Sequence, residues 1–246
     1  MSSWLEGKVI EHRAWTDALF SLRVEAPKLR FEAGQFVRIG LEIGGELVAR
    51  PFSFVNPPDD PVLEFYGIVV PEGPLSPLLA RLKPGDSLQV ADNPAGWLIL
   101  SEVPPAEELW LVATGTGIAP FLAMLRTPAP WQRYRRVILV HGVRRADELV
   151  YRDMVEELMR AHPGCLSYVR FVSREKLAGA LDGRIPAAVA DGRLEAAAAP
   201  IAPARSQFML CGNPEMLKDM TAALAARGLM KHRRRSPGQI TVESFW

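Results

Sequence analysis

The sequence predicts an N-terminal antiparallel β-barrel followed by an open, parallel α/β sheet, and three observations predict it. Over the first hundred residues, short runs rich in Val, Leu, Ile and Phe are cut by turn residues at close intervals, as antiparallel strands are. From residue 109 onward the apolar runs become continuous and alternate with helical stretches, as strands buried on both faces of a parallel sheet do. Between the two lies a polar segment, residues 101–108 (SEVPPAEE), whose Pro104-Pro105 pair resists both a helix and a central strand. The expected organisation is a barrel domain at 1–100, a linker at 101–108 and an α/β domain at 109–246.

In the β half, strands are expected at 20–24, 36–41, 63–70 and 87–90. The turns between them are Ala33-Gly34, Gly44-Gly45, the prolines of 57–61 and 71–74, and Pro84-Gly85. In the α/β half, 109–113 is a buried strand, 115–120 a turn, and the apolar stretch to Leu125 a helix. Strands follow at 137–140, 166–172 and 208–211, with helices at 147–161 and 214–227. The Ala-rich segment 195–204 is expected to be loop, because it contains Pro200 and Pro203. There is no internal repeat.

Composition narrows the function classes. The 29 Lys and Arg against 28 Asp and Glu leave a formal charge of +1, which argues against a wholly basic nucleic-acid binder. The two cysteines, Cys165 and Cys211, are too few for a four-cysteine iron–sulfur cluster or zinc site, and no metal is expected. They also make a disulfide framework improbable and favour a reducing compartment. The opening MSSWLEGKVIEHR has no apolar stretch of signal-peptide length, and no run approaches the roughly 20 apolar residues that span a bilayer. A cytoplasmic protein without a membrane partner is expected, and a monomer, since no heptad or repeat demands assembly.

Five segments and one scattered set of arginines carry chemistry. Gly115-Thr116-Gly117-Ile118-Ala119-Pro120 follows a strand and opens a helix, where glycines let backbone N–H groups approach a phosphate; an ordinary strand-to-helix turn has the same spacing. In Arg50-Pro51-Phe52-Ser53-Phe54 a guanidinium can pair with phosphate, an aromatic can cover a flat ring and a hydroxyl can donate to a ring nitrogen; an edge strand with a surface arginine reads the same way. Gly73-Pro74-Leu75-Ser76 is a turn entering a helix, either facing a pyrophosphate or capped by Ser76. Arg144 and Arg174 lie just past two strands, with Arg184 further on, where guanidinium groups suit an extra phosphate or simple solvation. Cys211-Gly212-Asn213-Pro214 again joins strand to helix, and its cysteine lacks the nearby histidine that thiol catalysis needs. The chain ends Glu243-Ser244-Phe245-Trp246, two aromatics that either dock into the protein's own core or stack on a cofactor as a movable lid.

Taken together, these segments resemble the ferredoxin–NADP reductase family, in the family's order and approximate spacing over the whole chain. The similarity is to the bacterial members that end in an aromatic residue, and Trp15 to Leu22 and Gly34-Gln35-Phe36 share it. The resemblance implies FAD on the barrel and NADP(H) on the α/β domain. It implies that Arg50, with Pro51 beside it, meets the FAD pyrophosphate, that Phe52 lies on the isoalloxazine, that Ser53 bonds near the flavin N5, and that Tyr66 and Ile68 line the ring. Gly73, Pro74, Leu75 and Ser76 form the phosphate turn, and Thr116 stands where FAD and nucleotide adjoin. Phe245 covers the isoalloxazine and Trp246 the adenine. For NADP, the resemblance implies Arg144, Ser173, Arg174 and Arg184 at the 2′-phosphate end, Val143 beside them, and Gly212, Asn213 and Asp219 in the nucleotide-binding region after the fourth strand. Ser53, Cys211, Glu243 and Phe245 surround the reacting atoms. Phe52 departs from the family's common tyrosine and lacks its hydroxyl.

The activity implied is electron exchange between NADP(H), two at a time, and a ferredoxin or flavodoxin, one at a time. Lys231, Arg233, Arg234 and Arg235 either form a solvated surface or dock such acidic carriers. Two other readings remain: a stand-alone NADPH flavin reductase or oxygenase reductase component, and a non-catalytic sensor of the NADP redox state.

Overall fold

The computed structural model describes residues 3–244; Phe245 and Trp246, to which stacking roles were attached, lie outside the described residues. The chain divides into two compact units. One comprises the residues up to Ile99 together with Ala119–Arg126, and the other Leu100–Ile118 and the residues from Thr127 onward.

The first unit is a curled antiparallel sheet. Its elements are β1 (Trp4–Ala14), β2 (Leu19–Glu25), β3 (Phe36–Ile43), β4 (Glu46–Ser53), β5 (Val62–Ile68), the short helix α1 (Ser76–Leu79) and β6 (Ser87–Ala91), with the strands in the order β4-β3-β6-β1-β2-β5. Hydrophobic periodicity misses β1, because only Gly7 and Val9 of its eleven residues are buried. β4 lies at the sheet edge, where Pro51 has no ladder hydrogen bond to lose. The two ends of the sheet meet at a single antiparallel bridge, Phe54 to Phe65, reinforced by Val55 N–H donating to Glu64 (2.9 Å) and Glu64 N–H to the Asn56 side chain (2.8 Å). Leu22, Val24, Ile39, Phe54, Phe65, Leu79 and Val90 fill the interior.

The second unit is a six-stranded parallel sheet. In chain order the remaining elements are β7 (Glu108–Thr114), α2 (Ala119–Leu125), α3 (Ala129–Arg133), β8 (Arg136–Val143), α4 (Arg152–Ala161), β9 (Leu166–Val172), β10 (Leu181–Asp182), α5 (Ile185–Ala190), α6 (Arg193–Ala197), β11 (Ser206–Gly212), α7 (Pro214–Ala225) and β12 (Ile240–Ser244). Of these, α2 packs with the first unit, where Arg126 just past its end reaches Val55 O (3.3 Å), Asp60 (3.4 Å) and Glu64 (3.7 Å). The strand order is β10-β9-β8-β7-β11-β12. Trp110, Val112, Ile138, Val140, Phe208 and Leu210 form one face's core with α5, α6 and α7. The chain's direction of progress across the sheet reverses at β7. The carboxyl ends of β7 and β11 are therefore the topological switch point at which open α/β sheets bind ligands.

Three expectations need correcting, and the C-terminal segment, to which no element was assigned, takes one. Residues 100–102 form a 3₁₀ turn, and Glu108, expected at the end of the linker, begins β7, buried with Arg205 and Ser206 each 3.2 Å away. The helix expected at 147–161 starts only at Arg152, because left-handed Tyr151 (φ 59°) separates it from a 3₁₀ turn at Ala146–Glu148. Part of the Ala-rich segment is helix α6: Gly192 turns into it, Leu194 buries, and Pro200 and Pro203 lie beyond its end. The C-terminal segment is a strand, β12, paired in parallel with β11. No helix among the described residues is long and apolar enough to cross a membrane.

Candidate functional site

On the barrel unit, β4 carries Arg50, Pro51, Phe52 and Ser53, and β5 carries Tyr66 and Ile68. Alternation along β4 makes Arg50 exposed and Ser53 buried. Arg50 donates to the Ala49 carbonyl (2.8 Å) and has no carboxylate partner among the described residues. The Ser53 hydroxyl is buried without a hydrogen-bond partner among the described residues, an arrangement that costs stability unless a further group completes it. Gly67, between Tyr66 and Ile68, lets the Phe52 ring approach: a β-carbon there would stand 3.0 Å from Phe52 Cε1 and 2.7 Å from Phe20 Cζ. Tyr66 is buried and Ile68 exposed beside it.

Gly73, Pro74, Leu75 and Ser76 lead into α1. Ser76 does not cap this helix: its hydroxyl accepts the Val70 N–H (2.9 Å) and it is itself the first helical residue. The Leu75 and Ser76 N–H groups have no acceptor among the described residues. A guanidinium without a carboxylate partner, two open amides, an aromatic on a glycine cradle and a buried hydroxyl unpartnered among the described residues suit a flavin nucleotide, whose pyrophosphate, flat ring and ring nitrogens need those groups.

On the α/β unit, the turns after β7 and β11 interlock. Gly117 lies against β11's end: a β-carbon would be 2.6 Å from Cys211 O. A β-carbon on Gly212 (φ +133°) would be 2.3 Å from Thr114 Oγ1, and that same hydroxyl accepts the Asn213 N–H at 2.9 Å. Asn213 caps α7, its side-chain oxygen accepting from Glu215 N (2.9 Å) and Met216 N (3.2 Å). Thr116, half-buried, and Gly212 and Asn213 are thus brought together at the switch point, while Asp219 is exposed further along α7. Cys211 is fully buried and stands in register with Glu243 on β12. Burial first, and the Glu243 carboxylate second, push the thiol well above its ordinary pKa, so it stays protonated at neutral pH and is no nucleophile.

At the ends of β8 and β9 the backbone continues as a short ladder. Ser173 N–H donates to Val143 O (3.1 Å), its hydroxyl to the same oxygen (3.2 Å), and Arg174 N–H to Arg144 O (2.9 Å). Arg144 and Arg174 are thereby adjacent across the two strands, and Arg184 precedes α5. All three are exposed, and none pairs with a carboxylate among the described residues. Neighbouring arginines do pair, Arg145 with Asp147 and Arg193 with Asp191. Three exposed, unneutralised guanidinium groups beyond strand ends suit a phosphate dianion.

Sequence reading missed His141. It is fully buried in β8, with Nε2 3.0 Å from Gly115 O and Nδ1 3.3 Å from the Tyr168 hydroxyl. Desolvation lowers its pKa to about 4, against a smaller raising by the Gly115 bond. It is therefore neutral: Nε2–H donates to the carbonyl, and Nδ1 accepts from Tyr168, whose own pKa burial raises. His141 holds the turn that carries Thr116. The available signal was a lone polar residue inside the apolar run VILVHGV.

Comparison with known proteins locates both halves. Residues 8–97 match the family model described as oxidoreductase FAD-binding domain, and residues 111–222 the oxidoreductase NAD-binding domain. The flavodoxin/ferredoxin–NADP reductase of Escherichia coli (strain K12) is 48% identical over 248 residues, 100% of each chain. The ferredoxin–NADP reductase of Pseudomonas aeruginosa is 37% identical over 99% of this chain and 98% of its own. The crystal structure of a ferredoxin NADP+ reductase from Neisseria gonorrhoeae with bound FAD and NADP superposes with a TM-score of 0.94 at 33% identity, covering 99% of both chains.

Proposed function

This chain belongs to the ferredoxin–NADP reductase family, and on that premise we propose how its residues serve an FAD-dependent exchange of electrons between NADP(H) and a ferredoxin or flavodoxin. The observation that carries the reading is the buried Ser53 hydroxyl beside the Phe52–Gly67 cradle, without a partner among the described residues, together with the exposed Arg144, Arg174 and Arg184, which pair with no carboxylate among them. The first set fits a flavin and the second a 2′-phosphate.

Bound FAD supplies the conversion between paired electrons at a nicotinamide and single electrons at a carrier. Arg50 and the Leu75 and Ser76 amides hold the pyrophosphate, with Gly73 and Pro74 shaping the turn. Phe52, Tyr66 and Ile68 bound the ring, and Ser53 offers its hydroxyl to the ring edge. Arg144, Arg174 and Arg184, with Val143 and Ser173, bind the 2′-phosphate end of NADP(H). Thr116, Gly212 and Asn213 orient the nicotinamide end, with Asp219 near that nucleotide. Cys211 contributes a small neutral contact and Glu243 a charge beside it. None of them has to act as a strong acid or base; their work is alignment and exclusion of water. Phe245 and Trp246 are proposed to stack on the isoalloxazine and adenine.

Purified protein is expected to be yellow, to bleach with NADPH, and to pass electrons to a ferredoxin or flavodoxin. Colourless, fully folded protein that takes up no FAD would overturn the reading. Arg144→Ala and Arg184→Ala are each expected to raise the KM for NADPH by about tenfold or more, the worth of a charge-assisted hydrogen bond, and to leave that for NADH within about twofold. Steady-state kinetics with both nucleotides checks this, and equal effects would remove the 2′-phosphate assignment.

The carrier is proposed to dock at Lys231, Arg233 and Arg235. Arg233 and Arg235 lie on a tight turn bridged between Arg233 and Ser236, and Lys231 just before it is bridged to Ile240; all three are exposed and without carboxylate partners among the described residues. Arg234, in contrast, holds Glu102 with two contacts of 3.0 and 3.1 Å. Charge reversal at Arg233 and Arg235 should slow reduction of an acidic carrier at low salt, and the difference should vanish as salt rises. Reduction of a small neutral dye should not change. A carrier rate insensitive to both salt and reversal would place docking elsewhere.

A further inference from the structure

Two carboxylates stand among the arginines of the 2′-phosphate region, and Coulomb's law alone makes that a poor place for them. Their hydrogen bonds show what they do. Glu148 Oε2 accepts the Arg144 N–H at 2.8 Å and the Arg145 N–H at 3.4 Å. Glu175 Oε1 accepts the Ala146 N–H at 2.5 Å, reaching from the loop after β9 to the loop after β8. Three successive amides, which would otherwise make an anion-binding concavity, are thus filled from within the chain. The same loops share a small separate core of Val143, Leu149 and Val172 packed by Leu177 and Ala180. Arg170 fastens the far end of the second loop through Gly179 O at 3.0 Å.

We propose that Glu175 and Glu148 are positioning residues for coenzyme choice. They clamp the Arg144 loop against Arg174, so that guanidinium groups rather than backbone amides meet the phosphate. The geometry is set at the cost of two nearby negative charges. The inference rests on the 2′-phosphate reading of Arg144, Arg174 and Arg184. Geometry and charge then make opposite predictions for Glu175. Glu175→Ala removes both the Ala146 acceptor and the charge; Glu175→Gln keeps an acceptor oxygen and removes only the charge. If only charge mattered, both variants would bind a 2′-phosphate more tightly.

The test is calorimetric titration of the FAD-loaded, full-length protein with adenosine 2′,5′-bisphosphate and, in parallel, with adenosine 5′-monophosphate. Glu175→Ala is expected to weaken the bisphosphate about tenfold, the order of one hydrogen bond to a charged group, while the monophosphate changes by less than about twofold. Glu175→Gln is expected to bind the bisphosphate as well as the parent or better. Unchanged or tighter bisphosphate binding by Glu175→Ala would overturn the proposal, as would equal weakening of both ligands. Arg144→Ala is the control: if it leaves the preference for the bisphosphate intact, the phosphate site itself has been misassigned, a failure distinct from that of the clamp.

Discussion

A Gly117→Ala variant is expected to lose about 3 kcal/mol of stability, which for a chain of this size lowers the melting temperature by about 6–12 °C, and to raise the KM for NADPH by an order of magnitude or more. The added β-carbon would stand 2.6 Å from Cys211 O, 2.7 Å from its carbonyl carbon and 2.9 Å from Gly212 Cα. All three are backbone atoms at the end of a buried central strand, so no side chain can swing away, and relief requires the two switch-point turns to part. Thr116 and Asn213 would then move relative to one another, which is why binding should fail along with stability. Gly115→Ala, two residues earlier, is the informative comparison. It has no atom within 4 Å of its β-carbon and pays only for its left-handed backbone (φ +53°), about 1 kcal/mol. Thermal scans and NADPH kinetics on the pair check the argument, and similar losses for the two variants would refute it.

The second large effect is a pH dependence. His141 has a folded pKa of about 4 against an ordinary value of 6.5, because it is buried. The unfolded chain therefore takes up the proton first. The stabilising contribution of the neutral ring is fully present above about pH 6.5 and is lost progressively as pH falls toward 4, amounting to about 3 kcal/mol across that window. Protonation would also put a second N–H against the Tyr168 hydroxyl, which then has to turn its own proton away. Urea unfolding of the parent and of His141→Phe at a series of pH values isolates the effect. The parent should lose stability between pH 6.5 and 4 more steeply by up to about 1.4 kcal/mol per pH unit, the slope of one proton. Parallel slopes would mean that His141 is protonated in the fold or that its ring is not sealed from water.

Much of the candidate site could be proposed from the sequence because it is local. Arg50, Phe52 and Ser53 sit on one strand, and strand alternation is enough to put the arginine and the serine on opposite faces. The two strand-to-helix turns, at Gly115 and at Gly212, announce themselves by glycine and proline at short spacing. Where the reading slipped, a side chain or a single dihedral outweighed the pattern: left-handed Tyr151 delays α4, and the burial of Leu194 secures α6 ahead of the prolines. β1 escaped because a register shift between Val9 and Glu11 interrupts its alternation and only Gly7 and Val9 of it are buried.

By itself, the sequence determined that a strand-and-turn half precedes a half of alternating strands and helices, and which short segments hold glycine, arginine and hydroxyl groups suited to phosphates and flat rings. Those properties depend on residues within a few positions of each other, and periodicity or spacing reports them directly. Only the tertiary structure decided that the ends of β7 and β11 are neighbours, that His141 supports Gly115 across 26 residues, and that Glu175 holds Ala146 across 29. Each of these contacts follows from strand order and register. A shift of one residue in register would turn His141 to the opposite face of the sheet, and no feature of its own segment records which alignment the packed sheet adopts.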